Sequence, residues 1–207
     1  MKIDTKVLGK VGTNCYVLMN EDTKEIIIVD PADWEEDIET MVEQFGGKPV
    51  GILLTHGHFD HITAADAVRE NYQIKMYANE AEKDTLKDSK MNMSGMGTGP
   101  RSYTADVFLK DGERFELAGF SIQMLSTPGH TPGGACFYFE KEKVLFSGDT
   151  LFADSVGRSD FPGGSMSALV RSIQEKLLNL PDEVIVYPGH MGATTIGHER
   201  QYNPFLG

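Results

Sequence analysis

Four side chains able to bind a metal ion lie within six positions, directly after the apolar run at residues 50–54. They are His56, His58, Asp60 and His61. Because an extended chain points alternate side chains to the same face, His56 and His58 can converge on one ion. Asp60 and His61 are adjacent, so both bind usefully only if the backbone turns after Phe59 and they face a second ion. The segment therefore predicts a site for two metal ions.

Three further candidate ligands each follow an apolar run that ends in glycine, proline or both. They are His130, Asp149 and His190. A strand that leaves a core and stops presents its next side chain at the edge of a sheet, and functional side chains often converge on loops held by a rigid scaffold. The seven candidates include five of the six histidines in the chain. That concentration would be improbable for histidines placed at random, and it indicates one shared site.

The hydrophobic pattern indicates the elements that must position these residues. In the first half, strand-like runs alternate with helical patterns, and a helix is predicted over residues 33–45 with Trp34 on its apolar face. The second half is rich in short strand-like runs, with a last helix at about residues 166–178 and a final strand at residues 184–187. This pattern predicts two sheets whose outer faces are covered by helices.

Residues 90–105 follow neither a helical nor a strand period. Met91, Met93 and Met96 stand there among small and polar residues. Loops of more than about 12 residues inside a compact domain tend to be functional or mobile. Two interpretations stay open: a flap over a binding site, for which methionine makes an adaptable apolar surface, or a disordered surface insertion.

Composition limits the class of protein. With 207 residues, 40% of them hydrophobic, the chain is expected to form a single domain over residues 1–207. The net charge of −12 argues against a nucleic-acid partner, because such binding needs clustered lysine and arginine. A small-molecule substrate is expected instead, and no pattern indicates the oligomeric state.

Location is predicted from the same composition. No apolar stretch approaches the roughly 20 residues that span a bilayer, and the first residues lack the apolar segment of a secretory signal. Cys15 and Cys136 lie in apolar runs without metal-like spacing, so they are expected to be buried free thiols. We therefore expect a cytoplasmic protein that does not contact membranes.

The chain resembles the metallo-β-lactamase superfamily. The resemblance runs from Asn14-Cys15-Tyr16 through Val29-Asp30-Pro31 and the segment 55–61 to the three later ligand segments. It is most similar to the short glyoxalase II-like hydrolases, in residues 148–152, 157–164 and the tail from Pro188. The resemblance implies an α/β (α+β) fold, an αββα sandwich with the metals at one edge of its two sheets.

The resemblance also implies a role for each ligand. His56, His58 and His130 would bind the first metal, Asp60, His61 and His190 the second, and Asp149 would bridge both. Imidazole and carboxylate ligands suit zinc, which we expect here, and also iron or manganese. The absence of thiolate ligands argues against a closed structural zinc site.

Two ions about 3.5–4 Å apart can lower the pKa of a shared water towards ~7. The resulting metal-bound hydroxide is expected to attack the carbonyl of a small acyl thioester of the hydroxyacylglutathione type, with Asp60 orienting it. The thiolate leaves with little acid assistance, because a thiol has a pKa near 8.5. Arg158 is expected either to brace its loop by pairing with Asp160 or to hold a substrate carboxylate.

Two other activities fit the same residues. Persulfide dioxygenases resemble the segment at residues 157–161 and use one iron, held by the positions of His56, His130 and Asp149. Lactone hydrolysis needs the same metal chemistry as thioester hydrolysis. Glyoxalase II proper binds glutathione through cationic residues of a C-terminal helical extension, which is not expected here, so recognition of glutathione stays open. Many relatives have glycine after the last histidine, where this chain has Met191, which would narrow the pocket and make it more apolar.

Overall fold

Strands from the first half of the chain form one six-stranded sheet. In the computed structural model, which describes all 207 residues, its strands lie in chain order: β1 (Lys2–Leu8), β2 (Thr13–Met19), β3 (Glu25–Val29), β4 (Lys48–Leu53), β5 (Lys75–Asn79) and β6 (Val107–Leu109). The strands from β1 to β3 pair antiparallel, and those from β3 to β6 pair parallel. Parallel strands end at the same edge, so β3 and β4 deliver the residues that follow them to one place.

The second half forms another six-stranded sheet. Its strands are β7 (Arg114–Leu117), β8 (Phe120–Ser126), β9 (Ala135–Phe139), β10 (Val144–Gly148), β13 (Ile185–Pro188) and β14 (Thr194–Thr195), and a separate small hairpin joins β11 (Leu151–Phe152) to β12 (Ser155–Val156). The order across this sheet is β14-β13-β10-β9-β8-β7. Only β10 and β13 pair parallel, so the residues after both strands also meet at one edge.

Seven helices accompany the sheets. They are α1 (Glu35–Phe45), α2 (Phe59–Ile62), α3 (Ala65–Tyr72), α4 (Lys83–Lys87), α5 (Ser94–Gly97), α6 (Met166–Ser172) and α7 (Ile196–Tyr202). Helix α6 continues into a wider turn of helix at Ile173–Leu177. No helix is both long and apolar enough to cross a membrane.

The core consists of three apolar layers. Side chains from both sheets fill the middle layer, including Leu18, Ile27, Phe137 and Phe146. The opposite face of the first sheet packs on α1 and α3, and the opposite face of the second packs on α6 and α7. Strands buried on both faces explain why β2, β3, β9 and β10 are nearly all buried. The predicted αββα sandwich is confirmed.

Trp34 does not lie on the apolar face of α1, so that prediction was wrong. Its backbone is in the left-handed region, at a φ of 49°, and its side chain is 49% exposed. Helix α1 begins one residue later, at Glu35. Because left-handed backbone breaks the helical repeat, Trp34 leaves the face that Ile38, Met41 and Val42 bury.

Residues 90–105 are folded onto the rest of the protein. The buried Asn92 side chain donates hydrogen bonds to the backbone oxygens of Leu86 and Arg101, and it therefore ties the two ends of the segment together. Helix α5 lies between them and is too short to produce a visible period in the sequence. This packing disfavours a disordered surface insertion, and the role of a flap stays a prediction.

Candidate metal centre

The backbone of the His56 segment changes conformation at the predicted place. His58 is extended, with φ −69° and ψ 143°, and α2 begins at the next residue, Phe59. The side chains of His56 and His58 therefore come from the non-helical segment before α2. Asp60 and His61 point from the first helical turn, towards a different position.

The structure brings His56, His58 and His130 together as a first cluster. All three are buried, and their ligand-capable nitrogen atoms lie within 4.8 Å of one another. The closest approach is 2.9 Å, between His58 Nδ1 and His130 Nε2. Burial lowers the pKa of each imidazole, and the pKa of His58 falls to about 3. Neutral imidazoles keep the lone pairs that a metal ion requires.

Asp60, His61 and His190 form a second cluster. Asp60 Oδ2 lies 3.6 Å from His61 Nε2 and 3.5 Å from His190 Nε2. The other ring nitrogens have fixed partners: His61 Nδ1 donates to Asp30 Oδ2 over 2.8 Å, and His190 Nδ1 donates to the backbone oxygen of Gly12 over 3.1 Å. Because Nδ1 is the donor in each ring, Nε2 is the nitrogen that faces the cluster and that would bind an ion after losing its proton.

Asp149 lies between the two clusters. Its Oδ1 is 3.3 Å from His61 Nε2, and its Oδ2 is 3.5 Å from His130 Nε2 and 3.6 Å from His190 Nε2. Burial raises the pKa of Asp149, but the neighbouring histidines outweigh burial and lower it to about 2. One ionised carboxylate thus faces both clusters, which is the position that the predicted bridging role requires.

The two clusters fit metal ions in spacing and in bonding. Two ligands each ~2.1 Å from one ion at a tetrahedral angle are about 3.4 Å apart. The carboxylate-to-imidazole distances across the site are 3.3–3.6 Å. His56 Nε2, His61 Nε2 and Asp149 Oδ1 are buried without a hydrogen-bond partner, although buried polar atoms normally have one. The buried histidine and aspartate clusters are therefore consistent with a dinuclear metal site.

Negative charge from the carboxylates dominates the second cluster. Burial raises the pKa of Asp60, but His61, His190 and Thr13 oppose burial and hold the pKa below its usual range. Burial lowers the pKa of His61, and Asp149 and Asp60 outweigh burial and raise it. A group of ionised carboxylates around imidazole nitrogens is an environment that attracts cations.

Asp30 belongs to this arrangement and was not predicted as a site residue. It is buried at the end of β3, with φ 49°. Its two carboxylate oxygens accept hydrogen bonds from Thr55 N (2.8 Å), Thr55 Oγ1 (2.6 Å) and His61 Nδ1. The sequence held a related signal, because Asp30 directly follows an apolar strand and stands before Pro31, whereas the other strand-end ligands follow the glycine or proline.

Glu82 also holds the site and has no sequence signal. Its buried carboxylate accepts hydrogen bonds from Gly57 N (2.8 Å) and Gly133 N (2.7 Å). These two glycines belong to the loops that carry His56, His58 and His130. Glu82 therefore connects the two loops of the first cluster, and it does so from a short helical turn with no distinctive pattern.

A cleft of about 580 Å³ opens onto the two clusters. Its floor includes His58, Asp60, His130, Asp149 and His190. Most of the other lining side chains are apolar, and they come from loops and short elements far apart in the chain: Val11, Phe59, Met93, Met96, Phe152, Val156, Phe161 and Met191.

Arg158 lines the cleft but is already paired. Its Nε and Nη2 donate to Asp160 Oδ1 and Oδ2 over 2.9 and 2.6 Å, and its guanidinium carbon lies 4.4 Å from the centre of the Phe161 ring. The predicted ion pair is therefore present. A role for Arg158 in holding substrate stays a prediction. The sixth histidine, His198, bonds to Asp154 and does not line the cleft.

Solved structures with a similar fold support a metal centre. The structure of BLEG-1 B3 metallo-beta-lactamase is 43% identical, with a TM-score of 0.93, and the match covers 99% of each chain. The structure of TTHA1623 in a di-iron-bound form is 34% identical, with a TM-score of 0.86 over 98% of this chain and 100% of the other.

Sequence comparison gives the same family. Hydroxyacylglutathione hydrolase GloC of Haemophilus influenzae is 36% identical over 213 residues, which cover all of this chain and 98% of the relative. The sequence model of the metallo-beta-lactamase superfamily matches residues 8–190, which include all seven predicted ligands. This chain therefore belongs to the metallo-beta-lactamase superfamily.

Proposed function

We propose that this protein is a metal-dependent hydrolase that cleaves a small acyl thioester. The observation that carries the proposal is the convergence of seven side chains into two clusters joined by Asp149 at the floor of a cleft. The similarity to a hydroxyacylglutathione hydrolase supports thioesters as the substrate class.

Each of the seven side chains has a role in the proposed reaction. His56, His58 and His130 would hold one metal ion, Asp60, His61 and His190 the other, and Asp149 would contact both. Such ions supply an activated water and polarise the substrate carbonyl. The pKa of Asp60, held below its usual range, keeps this carboxylate ionised at the floor of the cleft, so it can accept a hydrogen bond from the attacking water and orient it.

The cleft suits a leaving group that needs no acid. In thioester hydrolysis a C–O bond forms, the C–S bond breaks, and the sulfur leaves as a thiolate whose conjugate acid has a pKa near 8.5. The titratable groups that line the cleft are His58, Asp60, His130, Asp149, His190 and Arg158. No further side chain stands ready as a general acid, which favours a thioester over a substrate with an amine leaving group.

Hydrolysis of a β-lactam is a second candidate. The 43% identity with BLEG-1 B3 metallo-beta-lactamase favours it. The nitrogen that leaves a β-lactam must gain a proton, and that requirement places this candidate behind thioester hydrolysis.

The test combines metal content with three activities. We expect two metal ions per chain and turnover of S-lactoylglutathione, both lost in Asp149→Ala and His56→Ala. The matched control is His198→Ala, since His198 lies outside both clusters, and we expect unchanged metal content and turnover. One iron per chain, oxygen uptake with glutathione persulfide and no thioester cleavage would instead identify a persulfide dioxygenase. Faster turnover of a β-lactam than of any thioester would favour the second candidate.

A further inference from the structure

Three methionines stand around the mouth of the cleft. Met93 and Met96 come from residues 90–105, and Met191 directly follows His190. Met96 is 80% exposed and Met191 is 61% exposed, so neither contributes to the core. A flexible, polarisable thioether at such a place suits contact with an apolar ligand.

Two of these methionines have a backbone conformation that favours glycine. Met93 has φ 60° and Met191 has φ 69°, both in the left-handed region. Nine non-glycine residues of the chain have positive φ, and these two are the only ones among them that line the cleft. Hydrogen bonds fix the backbone at both places, from Asn14 Nδ2 to Met191 O and from Ser94 N to Asn92 Oδ1. Each position thus carries a long apolar side chain where glycine would be less strained.

Apart from the metal ions that its floor would hold, the cleft offers few cations to a charged ligand. Its only cationic side chain is Arg158, and both oxygens of Asp160 already bind that guanidinium. The glutathione part of a thioester carries two carboxylates, which would need unpaired cations. The chain as a whole carries a net charge of −12, which further disfavours anionic groups.

We infer that the cleft binds a hydrocarbon acyl chain of the thioester, through Met93, Met96 and Met191, and that the glutathione part contributes little to recognition. This inference rests on the proposed thioester hydrolysis and narrows its substrate to apolar acyl thioesters. Burial of each methylene against the methionines is the source of affinity.

Binding of S-alkyl thioethers of N-acetylcysteamine tests the inference without any hydrolysis. Calorimetry on the metal-loaded protein should show affinity rising about fourfold per methylene from methyl to hexyl. S-hexylglutathione should bind within about threefold of the matched N-acetylcysteamine thioether. An affinity that does not change with alkyl length would overturn the inference. So would glutathione thioethers that bind tenfold more tightly than the matched N-acetylcysteamine thioethers. Because these thioethers are not cleaved, the binding series does not depend on turnover. Failure of the proposed hydrolysis is seen separately, when both S-hexanoyl-N-acetylcysteamine and S-lactoylglutathione stay intact.

Substitutions test whether the rise in affinity per methylene depends on the three methionines. In Met93→Gly/Met191→Gly the gain in binding affinity per methylene should fall by at least half. Glycine relieves the left-handed backbone strain at both positions, so this variant should fold. The matched control is Lys24→Gly/Lys143→Gly, two exposed residues with φ 60° and 56° outside the cleft, and it should keep the full gain. Met96→Gln, which leaves the backbone unaltered, should also reduce the gain. An undiminished gain in both methionine variants would overturn the assignment.

Discussion

Asp30 sets the orientation of His61 through a single shared oxygen. Its Oδ2 accepts hydrogen bonds from both Thr55 Oγ1 and His61 Nδ1. An Nδ1–H donor turns Nε2 towards Asp60 and Asp149, and it selects the tautomer that a metal ligand needs once Nε2 has lost its proton. Residues that contact a ligand rather than the ion commonly determine the affinity for the ion.

Asp30→Asn should therefore weaken metal binding without removing a ligand. An asparagine amide must place its NH₂ group against a donor, so we expect about a 10- to 100-fold loss of affinity at the second cluster. Metal titration of the metal-free protein measures it. The control is Asp154→Asn, which changes the exposed partner of His198 and should leave the affinity unchanged. Equal affinity in Asp30→Asn and the wild type would refute the orienting role.

His58 gives the metal-free protein a predictable sensitivity to acid. Burial, followed by the neighbouring His130, lowers its pKa from 6.5 to about 3 in the folded state. Between those pH values the unfolded chain binds a proton that the folded protein does not, so stability is complete above pH 6.5 and falls as the pH drops towards 3. His58→Gln should flatten the plot of unfolding free energy against pH by up to about 1.4 kcal/mol per pH unit. Denaturant titrations between pH 3 and 6.5 measure the unfolding free energies of the wild type and His58→Gln. The same pH dependence in both proteins would contradict the burial of a neutral His58.

At the scale of elements, tight strand ends bring the ligands together. Gly189 follows β13, donates to Gly148 O over 2.8 Å and accepts from Asn14 N over 2.7 Å. It therefore connects the ends of β13, β10 and β2. The absence of a side chain is required there, since an added Cβ would overlap Asp149 Oδ1 and His61 Cε1.

Gly189→Ala should displace Asp149 and His61 and reduce the metal content to one ion or fewer per chain. Gly192→Ala is the matched control, because nothing lies within 4 Å of a Cβ built at Gly192. Elemental analysis of both purified variants measures the difference. Two ions per chain in Gly189→Ala would show that the strand ends tolerate more movement than their packing indicates.

The strand ends were also what the sequence predicted best. An apolar run followed by glycine or proline and then a ligand marks His130, Asp149 and His190, and the structure places all three at one edge. Helix α5 and the conformation of Trp34 were missed for a different reason. A single helical turn has no period, and left-handed backbone at a tryptophan is set by the packing of the chain around it, not by its own preference.

At the scale of the whole molecule, the site joins the two halves of the sandwich. The first sheet delivers His56 to His61, and the second delivers His130, Asp149 and His190. Backbone hydrogen bonds cross the same edge, from Ala135 N to Thr55 O and from Asn14 N to Gly189 O. The family resemblance predicted that the ligands would lie at one edge of the two sheets. The apolar walls of the cleft could not be predicted, because Val11, Met96 and Phe152 come from three separate short segments of the chain without a common pattern.

A site built from both sheets makes metal binding a source of stability for the whole fold. Ions that bind only the folded protein stabilise it by about 2.7 kcal/mol when present at 100 times their Kd. For a protein of this size that corresponds to a rise in Tm of about 5–11 °C. We expect this rise when the metal-free protein is loaded, and no rise in Asp149→Ala, in which neither cluster keeps the shared carboxylate. His198→Ala should show the full rise. Calorimetry at several metal concentrations measures the Tm of each protein. A Tm that does not depend on metal would mean that the ions do not help to hold the two sheets together. The middle apolar layer and the backbone hydrogen bonds would then be sufficient.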